Sequence, residues 1–489
     1  MTNDSIAAKT LKGSFFSIGS SIVTMVLGFV RSVILARLLL PEHFGVVALA
    51  MFFLSITNQI TGFGFKKALI HRSTDIQEAA STHFVLRVSL VVLMVLLTLL
   101  LTPLLSRLYP SQPQMVRALV ALAFVEIVKA VNATPDALFR KELEFKYLAI
   151  LDVASSLAMT IVAPAMALAG LGFWSLVGEQ AIGVLARAIG LWGRRRPWQF
   201  SLKLDKEIAR WYFCFGSFIF LSSNLTFLLD RFDDFWTGTA LGSVALGFYS
   251  RAYEFAGYPR RVIASPIAQV FFPAYAKLQH NRLRLSKAYY RASALIVRAG
   301  FLFSLVFTLV VPEFIRIFIG ARWLPMVFTF RLMIFYTLLD PLIVNSSHLI
   351  TAVGQPKILT KIKFFQLVFF VPAVIILARY FGINGVAVAA DLMMVTGIVL
   401  ILVQVQEYVD FSLWKMFRYP SVGLLVGSVA ALLIRQRLSI ESDFLSLLVK
   451  GGVATVVYGG LLLLFEHNKY SRSLQIVYNL IKSQGPFTH

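Results

Sequence analysis

Apolar runs of about twenty residues, the length that crosses a bilayer as a helix, recur along this chain with short polar connections between them. They fall near 14–38, 44–65, 84–106, 115–138, 148–169, 172–192, 208–230, 236–259, 289–311, 326–350, 362–380, 383–405, 416–435 and 444–465. The pattern predicts an all-α polytopic membrane protein of about fourteen transmembrane helices. The run at 236–259 is the weakest, because Arg251 and Glu254 interrupt it. Connections at Gly170 to Gly172 and Arg379 to Gly382 predict tight helical hairpins. The first run is too long for a signal-peptide core and no small-residue cleavage site follows it, so it is read as the first span.

Composition agrees with this reading. The 489 residues are 58% hydrophobic and 14% charged, with a mean hydropathy of +0.76; soluble domains carry about 25% charged residues. The net charge of +22 is concentrated in alternate connections, as the positive-inside rule requires, so it reads as a topology signal facing anionic lipid and not as a nucleic-acid surface. Both termini are then expected in the cytoplasm. The densest basic stretches are Arg194 to Arg210 and Arg260 to Arg291, and the second is amphipathic enough to lie along the membrane. A single cysteine, Cys214, excludes an internal disulfide, and the seven histidines lack metal-ligand spacing, so neither metal nor cofactor is predicted. No connection is long enough for an extramembrane catalytic domain. No HExxH, P-loop or GxSxG motif is present, so the chain is not expected to be an enzyme.

The chain also repeats itself. LLLPEHFGVVALAMFF from Leu38 is echoed by ALGSVALGFYSRAYEF from Ala240, matching Gly45 to Gly247; AGLGFWSLVGEQ from Ala169 is echoed by FGINGVAVAADL from Phe381, matching Glu179 to Asp391. Six helices per copy predict two parallel lobes around a central cavity, with two C-terminal helices outside the repeat. The expected boundaries are an N-lobe over 1–193, a basic cytoplasmic linker over 194–207, a C-lobe over 208–410, and the last two helices with a tail over 411–489.

Polar residues inside the spans are the candidate chemistry. Ser14, Ser17, Ser21, Thr24, Gly28 and Arg31 recur at steps of three and four on one face of the first helix. A guanidinium at membrane depth costs about 3 kcal/mol on insertion scales, so Arg31 is expected to face a watery interior, with snorkelling as the alternative. Glu126, Lys129, Asp136 and Arg140 share one face of the fourth span, where Glu126 can pair with Lys129 and Asp136 with Arg140. Polar cavity candidates are Ser21, Thr24, Asn58, Gln59, Asn224, Asn345 and His348; Arg251 and Arg331 add cations in the second half. Candidates for ion coupling are Glu126, Asp136, Asp230 and the repeat-related acids Glu179 and Asp391. With no nucleotide motif, transport would draw on an ion gradient or on that of the substrate.

Several stretches resemble one family. ILARLLLPEHFGVVAL from Ile34, GFGFKKALIHR from Gly62, RKELEFKYLAILD from Arg140, SPIAQVFFPAYAKLQ from Ser265, GARWLPMVFTFRLM from Gly320 and GQPKILTKIKFFQLVFFVPAVII from Gly354 are similar to the polysaccharide transporter branch of the multidrug/oligosaccharidyl-lipid/polysaccharide flippase superfamily, of the colanic acid and O-antigen type. The resemblance implies alternating access in a bacterial inner membrane, moving undecaprenyl-diphosphate-linked oligosaccharide from inner to outer leaflet. It implies that Arg31, Lys129, Arg251 and Arg331 hold the diphosphate, and that a polysaccharide polymerase and a chain-length regulator are partners. Two other readings stay open: a cation-coupled multidrug exporter of the same superfamily, and a non-transporting member of a glycan-assembly complex.

Overall fold

The computed structural model describes residues 3–194, 198–258, 261, 265–438 and 440–483. Its described residues form helices and no strand. They are α1 (Asn3–Leu38), α2 (Pro41–Gly62), α3 (Phe65–His71), α4 (Ile76–Leu108), α5 (Pro113–Lys141), α6 (Phe145–Leu168), α7 (Trp174–Gly193), α8 (Lys206–Trp236), α9 (Ser243–Ala256), α10 (Ser265–Leu278), α11 (Arg282–Phe314), α12 (Met326–Ala352), α13 (Pro356–Val405), α14 (Leu413–Arg437) and α15 (Asp443–Ser483). Wide π turns at Thr237–Leu241 and Ile315–Ile319 end α8 and α11. Among the described residues nine helices are long and apolar enough to cross a membrane. The predicted runs in α5, α7, α8 and α9 fall outside that set; α5 carries its four predicted charges, and α9 has only 14 residues, about 21 Å of helix.

The local breaks follow the sequence. Span 44–65 divides into α2 and α3 where Phe63 and Gly64 both take left-handed backbone conformations. Lys141 then reaches back from α5 to the carbonyls of Leu69 and Ile70 and to that of Arg72, placing an ammonium at the C-terminal end of α3. Gly170 and Gly172 take positive φ in the α6–α7 hairpin. The 50 residues of α13 would extend about 75 Å if straight. They kink at Gly382 (φ 58°, ψ −139°), and Gly385, which has no room for a Cβ, presses on the Leu377 carbonyl. Of the predicted amphipathic stretch, α10 and the start of α11 are described, while 259–260 and 262–264 lie outside the described residues, as do Arg195, Arg196 and Pro197 of the linker.

The chain forms two compact units, Met1–Ala252 with Lys363–Ala390, and Tyr253–Ile362 with Asp391–His489. In the first, α1 packs on α6, α6 on α7, and α5 on α2, α4 and α7. One of its cores joins Phe65, Ala68 and Leu69 of α3 to Phe84, Leu138, Trp198, Ile208 and Tyr212, with the Tyr212 hydroxyl on the Ala79 carbonyl at 3.0 Å. Gly45 of α2 and Gly247 of α9 cross backbone to backbone: a Cβ on Gly45 would strike the Ser243 carbonyl, and one on Gly247 the Pro41 carbonyl. Small residues permit this approach, which Cα–H···O contacts can then stabilise.

In the second unit α11 packs on α12, α14 and α15. Three ion pairs tie α15 and the residues at its start to α11 and its terminal π turn. Arg298 meets Glu466 through two bonds of 2.5 and 2.6 Å, Lys450 meets Glu313 at 2.5 Å, and Arg316 meets Asp443 at 2.9 Å. Outside the spans, hydrogen bonds from Arg282 hold the exposed Asp410 carboxyl below the usual carboxylate range.

Candidate functional site

Within the first unit, α2 and α8 each turn one polar face toward a cavity of about 490 Å³. Ser55, Asn58 and Gln59 come from α2; Ser223, Thr226, Phe227, Asp230 and Arg231 come from α8. Both sets recur at steps of three and four, so each is a single helical face. Phe227 lies stacked at 5.8 Å from Phe52, which also stacks on Phe235 at 4.9 Å, so an aromatic layer backs the polar lining. Two amides cross-link it: Gln59 Nε2 donates to the Ser223 carbonyl at 3.4 Å, and Asn58 Oδ1 accepts from Arg87 of α4 at 3.2 Å. Arg87 also donates to Thr61. Lys363 of α13 donates to Thr226 at 2.8 Å, and Arg231 pairs with Asp234 at 3.0 Å. The volume falls within the range of about 300–1,000 Å³ common for ligand pockets.

Asn58, Gln59 and Asp230 are thus the sequence candidates that share this cavity. Arg31 and Glu179 meet each other instead, at 2.9 Å, with side chains only 13% and 14% exposed; Arg31 also donates to Thr160 and to the Ser156 carbonyl, tying α1 to α6 and α7. Ser21 and Thr24 bond to carbonyls of α1 itself. Lys129 pairs with the buried Glu126 at 2.7 Å. Asp136 is a hub, meeting Lys66, Arg140 at 3.1 Å and Arg187 at 2.6 Å, and Arg187 continues to Asp152. Arg251 donates to Ser32 at 3.3 Å and lies over the Phe44 ring at 4.5 Å. Asn224 bonds the Phe220 carbonyl of its own helix.

The other candidates belong to the second unit. Asn345 is fully buried, accepting from Tyr275 at 2.9 Å and donating to Ser293 at 2.8 Å. Arg331 is exposed and bonds the Thr308 carbonyl. His348 meets the edge of Phe272, and Asp391 is nearly buried.

Sequence reasoning passed over Arg87, Lys363 and Arg187. Each lies in the outer part of its apolar run, where snorkelling explains a cation equally well. Among the described residues no group of three or more His, Cys, Asp or Glu is placed to hold a metal ion.

Residues 34–328 match the family described as "Polysaccharide biosynthesis protein", which is more than half of the chain. The chain belongs to this family. Among its relatives is the lipopolysaccharide biosynthesis protein WzxC of Escherichia coli (strain K12), 24% identical over 447 residues, covering 87% of this chain and 88% of that protein. Another is the succinoglycan biosynthesis transport protein ExoT of Rhizobium meliloti (strain 1021), 27% identical over 330 residues, covering 65% and 64%. In fold, the chain is similar to a lipid II flippase MurJ in an inward closed conformation, with a TM-score of 0.72, 14% identity and coverage of 94% of this chain and 100% of that one. A multidrug resistance MATE transporter in an inward-facing conformation is also similar, with a TM-score of 0.65, 15% identity and coverage of 81% and 98%. The family member described here is therefore a multi-pass membrane protein whose fold is similar to those of this flippase and this transporter.

Proposed function

We propose that this protein carries an undecaprenyl-diphosphate-linked oligosaccharide from the inner to the outer leaflet of a bacterial cytoplasmic membrane by alternating access. The observation that carries the reading is a cavity lined by polar, hydrogen-bonding residues on helices that are otherwise apolar, in a chain whose relatives are named for polysaccharide biosynthesis and transport. A glycan needs such a lining to cross hydrocarbon, whereas its polyprenyl tail can stay in lipid. An enzyme of glycan assembly would need a catalytic constellation, whereas Glu179 and Asp136 pair with cations of other helices and Glu126 with Lys129 of its own.

The finer architecture belongs to the same proposal. About fourteen crossings are reached if α5, α7, α8 and α9 also span and α13 crosses twice about its kink. Lobes over 1–193 and 208–410 are supported by the reciprocal contact of the repeat-related Gly45 and Gly247. The basic connections support both termini in the cytoplasm. Of the proposed diphosphate cations, Arg31 holds a Glu179 pair in the described state and would have to exchange it for substrate, while Arg251 would have to leave Ser32. Lys129 and Arg331 complete that set, with a polymerase and a chain-length regulator as proposed partners. Glu126, Asp136, Asp230, Glu179 and Asp391 stay the proposed coupling acids, with Asp136 the least suited because three cations surround it.

Deletion of the gene, followed by mass analysis of lipid-linked glycans and of surface polysaccharide, tests the function. The expected result is accumulation of a completed repeat unit on the inner leaflet and loss of surface polymer. Unchanged lipid-linked units with raised sensitivity to toxic cations would replace this reading with the exporter.

A further inference from the structure

Three helices of the second unit meet at a strongly basic end. The Tyr290 hydroxyl of α11 donates to the Lys415 carbonyl of α14 at 3.4 Å, and the Tyr458 hydroxyl of α15 donates to the Arg298 carbonyl of α11 at 2.8 Å. Residues 282–298, 406–418 and 466 carry seven cations against three acids. Two of those acids are taken, Asp410 by Arg282 at 2.8 Å and Glu466 by Arg298 through two bonds, and Glu407 is exposed. The charge left over is positive.

Arg418 stands inside the apolar run of α14, and among the described residues no acid pairs with it. Its buried Nε has no hydrogen-bond partner there. The guanidinium lies 4.1 Å from the centre of the Tyr419 ring, and that ring stacks on Phe465 of α15 at 5.2 Å with 9° between the planes. The stacked rings hold the cation against the helix pair, whereas a snorkelling arginine extends its chain to follow water.

Trp414, Arg418, Val422, Leu425 and Val429 recur at steps of four, four, three and four, so they share one face of α14. Trp414 is 73% exposed, and the three aliphatic residues are exposed as well. Along this face an interfacial aromatic comes first, then a cation, then about two turns of apolar surface. That order matches the headgroup boundary, the phosphate and the acyl chain of a single phospholipid. Phosphate oxygens only accept and a guanidinium only donates, in a fork that spans two such oxygens. The exposed Lys415 beside it disfavours a headgroup that carries its own ammonium.

We propose that this face of α14 is a binding site for an anionic phospholipid, with Arg418 holding the phosphate and Val422, Leu425 and Val429 lying along an acyl chain. The glycan carrier also ends in phosphate, but α14 and α15 lie outside the repeat expected to form the transport path, which favours a resident lipid. Placing the site in the cytoplasmic leaflet rests on the topology proposed above; the site itself does not depend on the flippase reading.

Native mass spectrometry of purified full-length protein, titrated with phosphatidylglycerol or phosphatidylcholine, tests the site. Native protein is compared with Arg418→Gln, Arg418→Lys and Lys287→Gln, the last removing an equal charge from an exposed position on α11. The expected result is tighter binding of phosphatidylglycerol than of phosphatidylcholine by native protein. Arg418→Gln should weaken phosphatidylglycerol binding about ten-fold, and Lys287→Gln should stay within about two-fold of native. Arg418→Lys keeps the charge without the fork, and a loss of about three-fold is expected from it; it serves if Arg418→Gln fails to fold. Equal loss from Arg418→Gln and Lys287→Gln would replace the site with a diffuse field, and no loss from either Arg418 variant would remove it. Equal binding of the two phospholipids by native protein would overturn the anionic preference. Displacement of phosphatidylglycerol by an equal concentration of undecaprenyl diphosphate would assign the face to the carrier and overturn the proposal.

Discussion

Arg31 and Glu179 present a direct choice between a structural tie and a substrate ligand, and a double-mutant cycle separates the two. The N···O distance is 2.9 Å and both side chains are mostly buried. An exposed pair of this kind contributes about 0–1 kcal/mol, whereas removing one partner of a buried pair costs about 3–5 kcal/mol. With 13% and 14% exposure the pair lies between these limits, so a coupling of about 2 kcal/mol is expected, about thirty-fold in an equilibrium constant. Thermal unfolding of detergent-solubilised native protein, Arg31→Ala, Glu179→Ala and the double variant measures it. The double variant should lose less stability than the two single losses added together. Surface polysaccharide is assayed in the same strains. Arg31→Ala should reduce export strongly at normal membrane levels, and Arg31→Lys, which keeps the charge but not the reach to Thr160 and Ser156, should retain part of it. Additive losses within about 0.5 kcal/mol would refute the tie, and full export from Arg31→Ala would refute the proposed role in holding the diphosphate.

Lys450→Ala leaves the buried Glu313 without its 2.5 Å partner and should destabilise the protein by about 3–5 kcal/mol, whereas the paired change Glu313→Leu with Lys450→Leu should melt near the native protein; equal melting of Lys450→Ala and native protein would contradict this. Gly45→Val should abolish recovery of folded protein in size-exclusion profiles of membrane extracts, because its side chain would occupy the Ser243 carbonyl, while Gly19→Ala, with open space around it, should be recovered at native yield.

Features set by neighbouring residues were legible in the sequence. Helix spacing alone put Glu126 beside Lys129 and Asp136 beside Arg140, and both pairs form. Gly170 and Gly172 marked the α6–α7 hairpin and Gly382 the kink of α13, because positive φ is a property of single residues. Asn58 and Gln59 stood out as amides in an apolar run, and they line the cavity. Contacts between distant helices were not legible. Nothing at Arg31 points to a carboxylate 148 positions along the chain, and nothing at Glu313 points to Lys450. Polarity inside a span also does not separate a cavity wall from a closed network. Asn345 carries the same signal as Asn58, yet its amide is enclosed by Tyr275 and Ser293.

The glycine crossing joins sequence, fold and function. Under the alignment that pairs Gly45 with Gly247, Pro41 pairs with Ser243. Gly45 presses on the Ser243 carbonyl and Gly247 on the Pro41 carbonyl, so each glycine meets the counterpart of the residue that meets the other. That reciprocity is the pattern expected of an isologous contact about a local two-fold axis. It supports a parallel repeat more directly than sequence similarity does, because a crossing of unrelated helices has no reason to be symmetric. It also gives the glycines a purpose that helix stability alone would oppose, since each costs about 1 kcal/mol relative to alanine inside a helix. The close backbone crossing, which a Cβ at either position would block, is what the two glycines provide in return.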